Sequence, residues 1–339
     1  MEKESLMYKN AVIIGKFMPL HKGHIHMVEF AKGVCENLTI LVDCLDGQSL
    51  STQQRVDVIK KTFPDSHIKV KGLKKEMPQS PDDHVDFWNI WRSEIVKNTP
   101  KDLDVIIGAM DYIKDLSRVL SINFLMIDKQ RSFMPISATE IRKDPISNWK
   151  YLAPHSRSLF TKKITIVGGE STGKTTLAKN LADFYETIWV PEYARTAIEE
   201  DEGCSLETFN KILIGQESLM ESMTQHAENG LIFNDTDLLA TKIWFKKMFP
   251  NDYLKESKNM KELILKTKSD LYILTNNKVD WKSDEVRFYP KKEDRDWFEK
   301  EFEDILMKNN FPYLKLKTHS LSDRVLEVDN YLKGLKNGK

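Results

Sequence analysis

Two histidines near the N-terminus have the spacing of a phosphate-binding site. They lie in the string GKFMPLHKGH at residues 15–24, which directly follows an apolar run and opens a helical pattern. Imidazole groups can hydrogen-bond phosphate oxygens and stabilise the charge that develops during attack on phosphorus. Glycine lets the backbone approach a nucleotide closely, and a helix N-terminus presents free amides to phosphate. The string predicts a nucleotide-binding corner formed by Gly15, Lys16, Phe17, His21 and His24.

A second string in the same half has the residue types of an anion site. Residues 136–142 read ISATEIR, which places two hydroxyls and a guanidinium at the start of a helical pattern. A Ser or Thr followed at capping distance by Glu is also an ordinary helix start. The same spacing puts Ser137, Thr139 and Arg142 where a helix terminus can bind an anion. Both interpretations stay open from this string alone.

The histidine pair could also be purely structural or could bind a metal. Two histidines three positions apart at a strand-to-helix turn usually have no common function. A zinc site with His26 as third ligand is disfavoured, because no cysteine or carboxylate lies at ligand spacing. The complete string favours the phosphate site.

A more specific motif lies in the second half, where residues 168–175 read GGESTGKT. It fits the pattern GxxxxGK[ST], with the apolar run ITIV before it and the helical pattern TTLAKNLADFY after it. In such a loop the backbone amides surround the phosphates, the lysine reaches the β- and γ-oxygens, and the hydroxyl binds Mg²⁺. The motif predicts an ATP site with Lys174 as a catalytic residue and Thr175 as a metal ligand. The other predicted contacts are Gly168, Gly169, Glu170, Ser171, Thr172, Gly173 and Thr176.

Acidic side chains follow two further apolar runs of this half. Asp235 and Asp237 end the run LIFNDTD, where an acid would meet the magnesium shell, and Asp235 is the predicted ligand. Glu192 and Arg195 follow the run IWV, and ligands of open α/β sheets bind at the carboxyl ends of strands. These two residues are therefore predicted contacts to an acceptor sugar, with a surface ion pair as the alternative. A hydroxyl nucleophile needs a base or an orienting carboxylate, and the sequence does not choose among the three acids.

A GTPase is the main rival interpretation of the second half. Residues 277–280 read NKVD, which matches a guanine-specificity element, but neither Asp235 nor Asp237 is followed by the glycine of a DxxG switch. The stretch WKSDEVR, which ends at Arg287, and the nearby Arg295 instead resemble a mobile lid whose arginines close on the transferring phosphate. Arg287 is the predicted substrate contact.

The elements that must position these residues alternate between short β-branched runs and amphipathic helical patterns. The alternation occurs twice, which predicts two α/β domains with mostly parallel sheets. Residues 141–161 contain two prolines and little periodicity, so the domain boundary is predicted there. The predicted domains are residues 1–150 and residues 160–339.

Composition narrows the class of protein. Lys plus Arg and Asp plus Glu both total 51, so no net charge favours nucleic acid or an acidic membrane as a partner. Three scattered cysteines are too few for a disulfide framework and fit a reducing compartment. No apolar run reaches the length of a membrane span, and the N-terminus lacks the apolar core of a signal peptide. We expect a cytoplasmic protein with no nucleic-acid or membrane partner; a homo-oligomer is left open.

GKFMPLHKGH and ISATEIR together resemble the two signatures of the HxGH nucleotidyltransferase superfamily. From about Val12 to the C-terminal helix, the chain is similar to the bifunctional NMN adenylyltransferase/ribosylnicotinamide kinase family. The further motifs that carry this resemblance are FWNIW, DKQRSFMPISATEIR, GGESTGKTT, PEYAR, ILIGQE, FNDTD and NNKVDWKSDEVR. Bacterial members can carry a preceding helix-turn-helix domain; this chain starts at the first strand, so control of transcription is not implied.

The resemblance implies two activities. A Rossmann-like nucleotidyltransferase domain would join NMN to AMP from ATP, giving NAD and pyrophosphate. A P-loop kinase domain would phosphorylate nicotinamide riboside to NMN, and the implied cofactors are ATP and Mg²⁺. The alternatives are a related fusion that acts on another metabolite and a nucleotide-sensing regulator without activity, although the intact histidines and P-loop disfavour the regulator.

The resemblance also implies roles for individual residues. His21 and His24 would contact the phosphates of ATP, while Ser137, Thr139 and Arg142 would hold its β- and γ-phosphates. Trp88 or Trp91 would stack on the nicotinamide ring, unless both only fill the core.

Overall fold

The computed structural model describes residues 6–44, 47–130, 132–253, 264–265, 267–279 and 288–336. The chain divides into two compact units, Met1–Leu159 and Phe160–Lys339. Each unit contains a five-stranded sheet in which the described strands pair in parallel, so the predicted α/β class is confirmed. Within the described ranges, no helix has both the length and the hydropathy needed to cross a membrane.

The first unit has strand order β3-β2-β1-β4-β5. Its strands are β1 (Tyr8–Gly15), β2 (Cys35–Cys44), β3 (Ile68–Glu76), β4 (Val105–Gly108) and β5 (Asn123–Met126). Its α-helices are α1 (Lys22–Val34), α2 (Thr52–Thr62), α3 (Phe87–Asn98), α4 (Tyr112–Leu120), α5 (Ala138–Lys143) and α6 (Pro154–Arg157), with a short 3₁₀ helix at Trp149–Tyr151.

The central strand β1 has apolar side chains on both faces of its sheet. Ala11 and Ile13 pack into one hydrophobic cluster, whereas Val12 and Ile14 pack into another. A strand covered on both faces requires a continuous apolar run rather than an alternating one, which explains the sequence AVII. The chain reverses its direction of winding between β1 and β4, and open α/β sheets bind ligands at such a switch point.

The second unit has strand order β10-β9-β6-β8-β7. Its strands are β6 (Lys162–Val167), β7 (Ile188–Val190), β8 (Leu231–Asp235), β9 (Leu271–Leu274) and β10 (Tyr313–Lys315). Its helices include α7 (Lys174–Phe184), α8 (Tyr193–Glu200), α9 (Leu206–Thr224), α10 (Leu238–Met248), α11 (Lys292–Lys308) and α12 (Leu321–Lys336).

The loop between β6 and α7 requires glycine at two positions. Gly168 has φ 146° and Gly173 has φ 84°, both in the region that favours glycine. A Cβ atom on Gly168 would also lie 2.1 Å from Thr275 Oγ1. Larger residues would therefore distort the loop and its row of amides.

Candidate active sites

A cavity of about 700 Å³ lies in the first unit, beside the carboxyl ends of β1 and β4. Its volume is typical of sites for small molecules. Most residues predicted for the first site line this cavity: Gly15, Lys16, His21, His24, Trp88, Trp91, Ser137 and Thr139. The fold thus brings together residues from β1, α1, α3 and α5.

The two histidines form a stacked pair at the start of α1. Nδ1 of His21 caps the helix by accepting a hydrogen bond from the Gly23 amide at 3.1 Å. The two imidazole centroids are 3.8 Å apart. Burial, and the nearby His21, hold the pKa of His24 well below its ordinary value, so this ring is neutral at pH 7. A neutral imidazole can donate a hydrogen bond to phosphate without the cost of burying a cation.

Phe17 supports the histidine pair from the core. Its side chain is only 1% exposed, and its ring centroid lies 4.8 Å from that of His24. The Phe17 ring therefore packs against His24 in the core, and the predicted nucleotide contact of Phe17 stays a prediction for its backbone.

The string ISATEIR begins a helix with a capping box. Ser137 Oγ accepts a hydrogen bond from the Glu140 amide at 3.2 Å, and the Glu140 carboxylate accepts one from the Ser137 amide at 2.7 Å. Arg142 donates to the Met18 carbonyl and, at 3.1 Å, to Thr139 Oγ1. Arg142 thus ties α5 to the loop after β1 through two of the five N–H donors of its guanidinium.

Arg55 holds the same corner from α2, and no motif in the sequence singled it out. Its side chain is 1% exposed. The guanidinium donates to the Lys16 carbonyl at 2.6 Å and to the Asp43 carbonyl at 2.9 Å. A buried arginine thereby joins the ends of β1 and β2. A lone arginine in a polar helical pattern is typical of a surface position, so only the tertiary structure reveals this role.

The two tryptophans of α3 differ in their freedom to contact a ligand. Trp91 is buried, and its indole N–H donates to the Pro78 carbonyl at 3.0 Å. Trp88 is half-buried and packs edge-on against Phe87, with 4.9 Å between ring centroids. Both line the cavity, and Trp88 is the more exposed of the two.

In the second unit, the P-loop lysine is held across its own loop. Lys174 Nζ donates to the Gly169 carbonyl at 2.9 Å, and Thr172 Oγ1 donates to the same carbonyl at 2.9 Å. The Gly169 carbonyl therefore accepts hydrogen bonds from two side chains of its own loop. The Lys174 ammonium group is thereby held against its own loop.

Thr175 and Asp235 meet at the predicted metal position. Thr175 Oγ1 donates to Asp235 Oδ2 at 2.5 Å, while Asp235 Oδ1 is buried and without a hydrogen-bond partner among the described residues. Burial raises the pKa of Asp235, and the charge of Lys174 opposes that rise. A hydroxyl and a carboxylate are ligand types that Mg²⁺ accepts. Within the part of the chain that the structure describes, no group of three His, Cys, Asp or Glu side chains is arranged to hold a metal.

Glu192 lies close to this pair. It lines a second cavity with Lys174 and Arg195, and its carboxylate is 3.6 Å from Arg195 Nε. Burial raises the pKa of Glu192; the charges of Lys174 and Arg195 lower it, and that of Asp235 raises it. Glu192, Lys174 and Arg195 thus share one cavity. The apolar end of the cavity, which no motif indicated, is lined by Ile198, Phe209, Ile212, Trp244 and Met248.

Asp237 lies apart from Glu192 and Lys174 and does not line their cavity, so its position does not fit the role of kinase base that the sequence left open to it. Its Oδ1 accepts hydrogen bonds from the Leu239 and Ala240 amides at 2.9 and 3.3 Å. Its Oδ2 accepts one from the Tyr272 hydroxyl at 2.9 Å. Burial raises the pKa of Asp237 to about 6, against these hydrogen bonds. Asp237 is a buried cap of α10.

Two further residues hold the P-loop, and neither role is visible in the motif. Arg324 is buried and donates to the Thr172 carbonyl at 2.6 Å. Glu170 accepts hydrogen bonds from the Phe288 and Tyr289 amides, both at 2.8 Å. Both contacts join the loop to residues more than a hundred positions away, so local patterns carry no trace of them.

The structure describes the residues on either side of the predicted lid. Arg287 and Asp280 lie outside the described residues. Arg295 donates to the Asn277 carbonyl at 2.7 Å and to the Val279 carbonyl at 2.6 Å. In this structure Arg295 therefore anchors the segment that leads to the predicted lid.

Comparisons with known proteins match the two units separately and together. A profile described as "Cytidylyltransferase-like" matches residues 12–144, and one described as "AAA domain" matches residues 163–324. The chain is 27% identical over 338 residues to the trifunctional NAD biosynthesis/regulator protein NadR of Escherichia coli, covering 93% of this chain and 80% of that protein. The chain is thus homologous to NadR over most of its length. The predicted family is thereby confirmed.

A NadR structure and a single-activity relative support the fold and the order of the halves. A crystal structure of NadR in complex with NAD and AMP-PNP matches with a TM-score of 0.72 at 22% identity, over 96% of this chain and 97% of that one. The first half is 24% identical over 194 residues to a nicotinamide-nucleotide adenylyltransferase of Thermococcus onnurineus, covering 55% of this chain and 100% of that protein. The predicted order, a nucleotidyltransferase-like unit followed by a P-loop unit, is confirmed.

Proposed function

We propose that this chain is a bifunctional enzyme of NAD synthesis. Nicotinamide-nucleotide adenylyltransferase activity is assigned to residues 1–150 and ribosylnicotinamide kinase activity to residues 160–339. The observation that carries the proposal is the presence of two separate cavities, each lined by residues of a strand-to-helix corner, in a chain that aligns with E. coli NadR over 93% of its length. Crystal structures of NadR with NR, and with NAD and AMP-PNP, support these ligands for a relative of the same fold.

In the first unit, a phosphate oxygen of NMN attacks the α-phosphorus of ATP, and pyrophosphate leaves. The nucleophile is already an anion, so no general base is required; positioning and charge stabilisation at phosphorus drive the step. The neutral imidazole of His24 and the imidazole of His21 donate hydrogen bonds to phosphate oxygens, and Lys16 supplies positive charge at the cavity wall. Ser137 and Thr139, on the same cavity, are the proposed contacts to the β- and γ-phosphates.

In the second unit, the 5′-hydroxyl of nicotinamide riboside attacks the γ-phosphorus of ATP, and ADP leaves. Glu192 is the proposed acceptor of the hydroxyl proton, because it faces Lys174 while Asp235 is engaged with Thr175. Thr175 and Asp235 fit Mg²⁺, which when bound offsets the charge of the phosphate oxygens. The apolar end of this cavity suits the pyridine ring, and Arg195 suits the ribose.

Trp88 is the proposed stacking partner for the nicotinamide ring in the first unit. Trp91 is fixed in the core by its hydrogen bond to Pro78 and supports the wall behind it. A half-buried ring at a cavity can stack on a ligand at little cost, because little further rearrangement is needed.

The test is a product assay with the purified chain, Mg²⁺ and ATP. Incubation with NMN should give NAD and pyrophosphate, and incubation with nicotinamide riboside should give NMN and ADP. Products from pantetheine phosphate or nucleosides instead would favour the fusion that acts on another metabolite. DNA binding without either product would favour the regulator. Cytoplasmic location, the lack of a nucleic-acid or membrane partner and the oligomeric state stay predictions.

A further inference from the structure

Asp43 presents an unused hydrogen-bond acceptor at the wall of the first cavity. It lies at the carboxyl end of β2, lines the cavity and is 3% exposed. Its Oδ2 accepts a hydrogen bond from Gln79 Nε2 at 2.8 Å. Its Oδ1 is buried and has no partner in the described ranges of the chain. An unpaired buried carboxylate oxygen is costly, so a donor from a bound molecule is the expected partner.

The carboxylate is held in place before any ligand arrives. Arg55 fixes the backbone of Asp43 through its carbonyl at 2.9 Å. Gln79 is itself fixed, because its amide nitrogen also donates to the Met77 carbonyl at 2.7 Å. Both the backbone and one side-chain oxygen are therefore anchored, and the remaining oxygen has a defined position. Such preorganisation is what makes a hydrogen bond discriminate between ligands.

One short segment joins this carboxylate to the aromatic wall. Pro78 holds the Trp91 indole through its carbonyl, and the next residue, Gln79, holds Asp43. Trp88, the proposed stacking residue, packs against the same hydrophobic cluster as Trp91 and lines the same cavity. A flat ring stacked on Trp88 would therefore lie in the same cavity as the Asp43 carboxylate.

We propose that Asp43 is a specificity-determining residue that accepts a hydrogen bond from the carboxamide N–H of the nicotinamide ring. This inference rests on the proposed adenylyltransferase function. A carboxamide carries N–H donors, whereas a pyridine carboxylate offers only acceptors and a negative charge. Two carboxylates in one desolvated site repel each other. Asp43 therefore selects the amide mononucleotide and rejects the acid.

The first test compares two substrates on each protein. We measure kcat/KM of adenylyl transfer for NMN and for nicotinic acid mononucleotide, with the wild type and Asp43→Asn. The ratio of the two values should fall by about tenfold or more in the variant. Because both substrates are measured on one preparation, the ratio does not depend on the fraction of folded protein. An unchanged ratio overturns the inference. This includes an equal loss of kcat/KM with both substrates, which is the result expected if Asp43 contacted the ribose instead.

Asp115→Asn is the matched control. Asp115 is another carboxylate at this cavity, but it is paired with Arg118 at 2.8 Å and its side chain is 45% exposed. The control removes the same charge near the cavity without removing the buried acceptor. Its substrate ratio should stay at the wild-type value; an equal fall in this ratio would show a general charge effect and overturn the inference.

A second test needs only the wild type. The mononucleotide of 3-acetylpyridine is neutral at the ring substituent and close in shape to NMN, but its ketone has no N–H. Its kcat/KM should be about tenfold or more below that of NMN. Equal use of both compounds would contradict a hydrogen bond to Asp43 while leaving the adenylyltransferase proposal intact. No dinucleotide from any mononucleotide would instead refute the adenylyltransferase proposal, and the inference with it.

Discussion

The two ATP corners share a strand-to-helix layout but differ in the groups that surround phosphate. The first presents two stacked histidines, one of which caps the helix while the other is neutral. The second presents a lysine on a loop that requires glycines with positive φ, together with buried carboxylates from the ends of neighbouring strands. This difference follows the nucleophile, because a phosphate monoester attacks as an anion, whereas a sugar hydroxyl needs a carboxylate. In the proposed mechanism each corner binds ATP, and the neighbouring strand ends determine the chemistry.

The corners also share one feature that is not visible in their motifs. A buried arginine from a distant element binds the loop carbonyls of each: Arg55 binds the Lys16 carbonyl, and Arg324 binds the Thr172 carbonyl. Carbonyls that accept from an arginine are fixed in direction, so the amides of the loop face the ligand. The positive charge of each arginine also lies close to a site for polyphosphate.

The largest expected effect separates the two corners completely. Lys174→Ala should lower riboside phosphorylation by roughly 100-fold or more and leave adenylyl transfer unchanged, because it removes positive charge from one transition state only. His24→Ala should have the reverse effect. Both variants are measured for both products in parallel. A loss of both activities in either variant would break the comparison, since the two sites would then not be independent.

The carboxylate that distinguishes the kinase corner should be nearly as important. Glu192→Gln should lower riboside phosphorylation by about 100-fold, as expected for loss of a general base. In the wild type the rate should fall as pH drops through the pKa of Glu192, which burial holds above its ordinary value, because the protonated carboxyl cannot accept the proton. The variant should lack this acid limb. The control is Glu199→Gln, at an exposed position of α8. If the pH profile of Glu192→Gln kept its acid limb, Glu192 would be excluded as the base.

A smaller effect should test the shared arginine. Arg324→Met should lower phosphorylation by about tenfold and Arg55→Met should lower adenylyl transfer by about tenfold, since each leaves a loop carbonyl without its donor. Each variant should spare the other activity. Arg118→Met, which removes an exposed arginine, should change neither. If the buried arginines were needed only for folding, the losses would disappear when rates are expressed per folded molecule.

The smallest effect on activity is expected at Asp237. Asp237→Asn should lower the free energy of unfolding of the second unit by about 1–3 kcal/mol, because the amide cannot accept all three hydrogen bonds that the carboxylate accepts. Urea unfolding measures this change. Phosphorylation per folded molecule should stay close to wild type. A catalytic loss without a stability loss would restore Asp237 as the base and contradict its place in the core.

The sequence predicts much of the fold because the informative patterns are local. The run AVII, the glycine string after it and the GxxxxGKT loop each specify a strand, a turn and a helix within about 20 residues. Parallel pairing then brings the carboxyl ends of the strands to one edge. The fold class and the nearness of Thr175 to Asp235 could therefore be expected.

The supports of both sites could not be predicted in this way. Arg55, Arg324 and Asp43 act across the fold, and each has the local pattern of an ordinary polar residue. The error at Asp237 has the same origin, because two acids that are two positions apart on a strand end have equal local patterns. Only the tertiary structure shows that one faces Thr175 and the other faces Tyr272.

The most direct test of two ATP corners is the binding stoichiometry of a non-hydrolysable ATP analogue, measured by calorimetry with Mg²⁺. Two sites are expected per wild-type chain, with one site left in Lys174→Ala. A single site in the wild-type chain would contradict the assignment of two activities to this protein.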